Sequence, residues 1–181
     1  MAFARIGDQK VLEHGEVSAC VAAYGRLESP VRMLNESVTR LPWCLVKRVL
    51  PQHTDHGGVM WHGAYVGWLE EARVEALSAT GYPYEKMASN GLEMPVVQLQ
   101  IRYREALMLG DEVELMSVSG APRGVRWPWS TRFMKGGVCV AEAMVELVLL
   151  SVHPVRRVLR HPPEAAADAF RTLTEGPKEN R

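Results

Sequence analysis

The amino-acid sequence predicts an α+β domain in which one helix packs on an antiparallel sheet. Three observations carry that expectation: a strand-like apolar run at residues 43–50, a single helix-period segment starting near Tyr65, and four strand-like segments in succession after it. Only the helix can cover one face of a sheet built from those strands, so the helix must be buried.

The first strand is followed by a Gly-rich and His-rich connection, residues 53–62. In the helix, Tyr65, Leu69, Ala72, Ala76 and Ala79 recur at spacings of four and three, with Trp68 beside them, whereas Glu70, Val74 and Ser78 point away. An alanine-rich stripe lets the helix lie close to the curved inner face of a sheet. Gly81 ends the helix and Pro83 enforces the stop.

Beyond the helix the period is two: Val97, Leu99, Ile101 and Tyr103 alternate with Gln98, Gln100, Arg102 and Arg104. The turn Leu109-Gly110-Asp111 leads into a strand at 112–118. The next strand sets Trp127, Trp129, Thr131 and Phe133 on one face, with Pro128 predicting an edge or a bulge rather than a central position. Gly136-Gly137 then makes a hairpin turn into one long strand, 138–152.

That last run is the longest apolar stretch, but Glu142 and Glu146 interrupt it, and a bilayer-spanning helix needs about 20 mostly apolar residues, so no membrane span is expected. The chain has 181 residues, 47% of them hydrophobic, which suits one core. We expect an N-terminal extension at 1–40, a core domain at 41–155 and a C-terminal tail at 156–181 that frays from Pro162 onward. Met33 is a candidate biological start. Twenty-one Lys and Arg balance 21 Asp and Glu, so no net field attracts nucleic acid. Cys20, Cys44 and Cys139 show no Cys-x-x-Cys spacing, and the N-terminus makes a poor secretory signal, which together suggest a cytoplasmic protein.

The chemistry-bearing residues lie between Pro51 and Arg73. The arrangement Thr54-Asp55-x-Gly57-Gly58-Val59-x-x-His62-x-x-Tyr65, followed by Glu70-Glu71-Ala72-Arg73, resembles the hotdog-fold acyl-CoA thioesterases of the 4-hydroxybenzoyl-CoA thioesterase and YbgC type. Arg102-Tyr103 and Leu109-Gly110-Asp111-Glu112-Val113 resemble the same family's next strands, so the likeness spans residues 43–152.

The resemblance implies a long helix wrapped by a curved five-stranded antiparallel sheet, working as a homodimer or homotetramer with its site between subunits. It also implies that Asp55 is the catalytic carboxylate, as nucleophile or as general base for water, with His62 assisting. The placement makes physical sense, because a carboxylate just before a helix can reach a carbonyl whose oxygen sits on the helix's free N–H groups. Here the candidate donor is the amide of His62 or of Gly63. Gly57, Gly58 and Gly63 permit close approach of the thioester and its pantetheine arm, and Tyr65 is a candidate substrate contact. Coenzyme A arrives as part of the acyl-CoA substrate, and no separate cofactor or metal is expected.

Each assignment has a plainer alternative. Asp55 also suits an Asx-turn, His62 a first-turn helix residue, and Tyr65 and Trp68 core packing. Glu71 is a reserve carboxylate, since another branch of hotdog thioesterases keeps its acid on the helix. Pro51 departs from the tyrosine often found four residues before the aspartate. Arg102, Arg104, Arg123, Arg126, Arg156, Arg157 and Arg160 are candidates for the coenzyme A phosphates.

Three rival readings remain at the level of sequence. His53-x-Asp55-His56 matches part of a metallo-β-lactamase metal motif, with the non-ligating Pro51 in the missing position. A non-catalytic hotdog protein would bind the acyl-thioester without turnover. A hotdog dehydratase or hydratase would act on the acyl chain. The expected activity is hydrolysis of a small or aromatic acyl-CoA to free acid and coenzyme A.

Overall fold

The computed structural model describes residues 40–178. The expected extension at 1–40, with its candidate start at Met33, lies outside the described residues except for Arg40.

Strand β1 (Trp43–Arg48) leads through a short 3₁₀ turn (Pro51–His53) to the long helix α1 (His62–Ala79). Then come the short helix α2 (Tyr84–Ser89) and strands β2 (Leu92–Glu93), β3 (Val96–Tyr103), β4 (Glu112–Ser119), β5 (Arg126–Lys135) and β6 (Val138–Val148). Two short strands, β7 (Leu150–Ser151) and β8 (Arg157–Val158), precede a final helix, α3 (Glu164–Glu175). The main sheet is antiparallel in the order β1-β4-β5-β6-β3, and β2, β7 and β8 form a small second sheet. Among the described residues no helix is long and apolar enough to cross a membrane.

One cross-strand row shows how the core is built. Leu45, Leu115, Phe133 and Ala141 are successive partners across four strands and all are buried. The row ends at Tyr103 on the edge strand β3, which is half exposed. Tyr65, Trp68, Leu69, Ala72 and Ala76 of α1 are buried in the same core, as their spacing predicts. Ala79, the last residue of the predicted stripe, is exposed, and Ala64 and Leu77 are buried on α1 as well. Gly81 leaves the helix at φ +78°, a conformation that favours glycine.

Two further expectations are corrected. Pro128 sits in β5, a central strand, and not at an edge. It is tolerated because β4 is already ending: its carbonyl accepts the Gly120 N–H at 2.8 Å, and its missing N–H faces the same strand end. A Cβ on Gly120 would press against the Pro128 ring, so the glycine makes room for it. The predicted strand at 138–152 breaks at Leu149 into β6 and β7.

The tail expected to fray instead folds as α3. Ala166, Ala169, Phe170 and Leu173 form a buried stripe at helical spacing, and Phe170 meets Trp127 edge to face at 5.1 Å. Trp43 Nε1–H donates to the Leu173 carbonyl at 3.0 Å, tying α3 to β1. Gly176 lies against the Leu41 carbonyl so tightly that a Cβ would collide with it.

Candidate active site

The connection between β1 and α1 is a stitched loop. Thr54 bridges Met60, the Asp55 N–H donates to the Val59 carbonyl at 2.9 Å, and the Trp61 N–H donates to the His53 carbonyl at 3.0 Å. Gly58 turns the tip at φ +75°, and its own N–H donates to the Asp55 carbonyl at 3.0 Å. The Asp55 carboxylate completes the turn: Oδ1 accepts the N–H of Gly57 at 2.8 Å and that of Val59 at 3.2 Å. Oδ2 takes no hydrogen bond from the described residues, and the side chain is exposed. The Asx-turn named above as the plainer alternative is therefore present, and it occupies one of the two carboxylate oxygens.

A second segment braces this loop. The Met60 N–H donates to the Leu107 carbonyl at 2.8 Å, Val59 bridges Met108, and the Leu109 N–H donates to the Gly58 carbonyl at 3.3 Å. Asp111 fixes that segment, since its Oδ2 accepts the Met108 N–H at 2.8 Å and the Lys135 ammonium at 2.7 Å. Burial pushes the Asp111 carboxyl up, but the hydrogen bonds from Lys135 and Met108 and the Lys135 charge outweigh it and hold it below the usual range. In the sequence this segment reads only as a turn. Its bracing role could not be seen because it depends on pairing across about 50 residues.

Helix α1 begins on Trp61 with no side-chain cap, and its first turn holds no acidic residue. The amides of His62 and Gly63 have no partner among the described residues. Gly63 is required by its neighbour, because a Cβ there would strike the Trp61 indole. His62 is exposed on the first turn, edge-on to Trp61 at 5.4 Å, and no hydrogen bond joins it to Asp55. Trp61 itself is a contributor that the sequence reading passed over. The signal available was a bulky residue where Ser, Thr, Asp or Asn is the usual cap.

Other candidates lie elsewhere. Tyr65 is 2% exposed, with Tyr103 at 5.0 Å and Phe133 at 5.2 Å, so within one chain it is a core residue. Burial, and next the Tyr103 phenol, push its hydroxyl up to about 12, against the pull of a hydrogen bond with the Leu107 backbone. Trp68 is buried and meets the His53 ring edge-on at 5.2 Å. Glu71 forms an ion pair with Lys47 of β1. Arg73 pairs with Glu70, and burial lowers its guanidinium to about 10.

His53 Nδ1 accepts the Leu50 N–H at 3.1 Å, so that nitrogen already serves the loop. Among the described residues, no three His, Cys, Asp or Glu side chains converge to hold a metal ion. Of the arginines, Arg102 and Arg104 face Glu142, Arg126 pairs with Glu146, and Arg156 with Glu93. The structure thus sets Asp55 and Gly58 at the tip of one stitched loop, starts α1 at that loop's other end with the His62 and Gly63 amides, and leaves Tyr65 inside.

Comparisons with known proteins identify the family. Residues 49–168 match the family described as the thioesterase-like superfamily. The chain is 34% identical over 144 residues to a Synechocystis protein named as an esterase, sll0410, covering 77% of this chain and 85% of the relative. It is 25% identical to the acyl-CoA thioester hydrolase YbgC of Escherichia coli, covering 68% of this chain and 92% of that one. A hypothetical protein from Thermus thermophilus superposes with a TM-score of 0.63 at 27% identity, over 72% of this chain and 96% of that chain.

Proposed function

The chain belongs to the thioesterase-like superfamily, with the hotdog fold and the acyl-CoA thioesterase activity of that family, and on that premise we propose that it hydrolyses a small or aromatic acyl-CoA through Asp55. The observation that carries the reading is the division of labour in the Asp55 carboxylate. Oδ1 is spent on the Gly57 and Val59 amides, which orients the group, and Oδ2 stays open at the tip of the loop that leads into a helix start with two unpartnered amides.

Oδ2 either attacks the thioester carbonyl carbon or takes a proton from the water that does. In both routes the carbonyl oxygen gains negative charge, which the His62 and Gly63 amides and the positive end of the helix dipole stabilise. Collapse then breaks the carbon–sulfur bond and releases coenzyme A as thiolate. In this reading His62 assists by protonating that sulfur or polarising the carbonyl, and Gly58 gives the pantetheine arm close backbone access. A small or flat acyl group is the expected substrate, and coenzyme A enters only as part of it.

The working unit in this reading is a homo-oligomer built on β3. Among the described residues that edge has no strand partner, and Val96, Val97, Leu99 and Tyr103 are each 40–49% exposed along it. Pairing with the same edge of a second copy would bury those side chains and remove an open edge. The three scattered cysteines, Cys20, Cys44 and Cys139, suit a reducing compartment and a cytoplasmic location.

The test is release of free thiol from aliphatic and aromatic acyl-CoAs by the wild type and by Asp55→Asn. Turnover by the wild type and a loss on the order of 10² to 10⁴ in the variant support the reading. Binding without turnover in both would replace it with a binding role.

A further inference from the structure

Helices ordinarily start on Ser, Thr, Asp or Asn, because a side-chain oxygen at that position accepts the N–H of the second or third helical residue. In α1 those two residues are Gly63 and Ala64. The Ala64 N–H already donates to the Trp61 carbonyl at 3.0 Å, so a conventional cap would take the Gly63 amide. That amide is one of the two the thioester oxygen needs. Tryptophan at the cap leaves free what an ordinary cap would consume.

An uncapped helix start frays, and here a different restraint replaces the cap. The Trp61 indole Nε1–H donates to the Gln52 carbonyl at 3.4 Å. The ring stands edge-on to His62 and lies across Gly63, where any side chain would collide with it. The Trp61 backbone N–H is bonded to His53, at the base of the Asp55 loop. The ring nevertheless remains 44% exposed, so core burial does not explain a residue of this size at this place.

We propose that Trp61 is a positioning residue for the hydrolysis: its indole, held between Gln52 and Gly63, fixes the first turn of α1 in place of a side-chain cap and keeps the His62 and Gly63 amides open to the thioester carbonyl. The proposal rests on the thioesterase reading of this site. It also accounts for Gly63, since a Cβ there would push the ring from this place.

Trp61→Ser and Trp61→Phe test it in the full chain, read by kcat, KM and hydrogen exchange at the Gly63 amide. Serine supplies the conventional cap, so Gly63 exchange slows, and kcat falls on the order of tenfold to hundredfold with KM little changed. Phenylalanine keeps a ring over Gly63 and brings no oxygen, so Gly63 exchange stays fast and the larger part of kcat survives. The proposal is overturned if the serine variant protects Gly63 yet keeps wild-type kcat. It is equally overturned if serine leaves Gly63 exchange unchanged, or if a folded phenylalanine variant loses as much kcat as serine. The exchange measurement needs no turnover, so it judges the cap even if neither the wild type nor Asp55→Asn releases thiol and the thioesterase reading falls.

Discussion

The Gly57 N–H donates to Asp55 Oδ1 at 2.8 Å, so the loop aspartate is held by the turn it helps to form. Asparagine keeps an oxygen acceptor at that place and loses only the charge. Asp55→Asn should therefore melt close to wild type while losing turnover, whereas Asp55→Ala should lose turnover and also about 1 kcal/mol or more of stability. Thermal melts run beside thiol-release assays separate the two effects.

Glu71 is paired with Lys47 and points its charge at β1. Glu71→Gln is expected to keep turnover near wild type. Loss of activity in this variant, with retention in Asp55→Asn, would move the catalytic acid onto the helix.

Asp111 supports the active loop at one remove, through Met108 and its bridge to Val59. Asp111→Ala removes the acceptor of a solvent-accessible backbone N–H and of the half-exposed Lys135 ammonium, at a cost of about 0.5–1.5 kcal/mol. Because the folded-state carboxyl titrates below its ordinary value, its stabilisation is full above the unfolded aspartate value of about 3.9 and is lost as pH falls through the folded value. Denaturant midpoints measured from pH 6 down to about pH 2 should fall more steeply for the wild type than for the variant in that acid window.

The final helix contributes through its buried stripe. Phe170→Ala removes the ring that packs on Trp127 and should cost about 3–5 kcal/mol, as large-to-small core substitutions of aromatic residues do. An unchanged urea midpoint would mean that α3 is dispensable to the core.

The β3 edge predicts its own experiment. Leu99→Lys places a charge among the exposed apolar side chains of that strand and should convert a dimer to a monomer with loss of activity. Sedimentation velocity gives the mass. A wild-type monomer with full turnover would remove the oligomer from the mechanism.

Much of this architecture is written in local periodicity. The stripe through Tyr65, Leu69, Ala72 and Ala76 and the face carrying Trp127, Trp129, Thr131 and Phe133 each follow from side-chain spacing alone. Pro128 misled because a local rule about proline takes no account of where the neighbouring strand ends. The Ala-rich, charged segment around α3 reads as a tail, since its four buried residues gain meaning only against Trp127 and Trp43. At the site, the family spacing brings Asp55 and the helix start to notice. The brace at Leu107–Leu109 and the cap at Trp61 depend on tertiary contacts and on the lack of a side-chain oxygen, neither of which a motif records.

The contact between Leu41 and Gly176 means that the described fold begins and ends at one point on its surface. A short peptide joining those two positions would close the backbone into a ring with little strain, and the ring could be reopened at the turn near Gly124, between β4 and β5. Such a circular permutant would keep every strand pairing and the whole Asp55 loop. A protein fused to either end of this body would leave from the same corner, so a tether at one end sterically competes with a tether at the other.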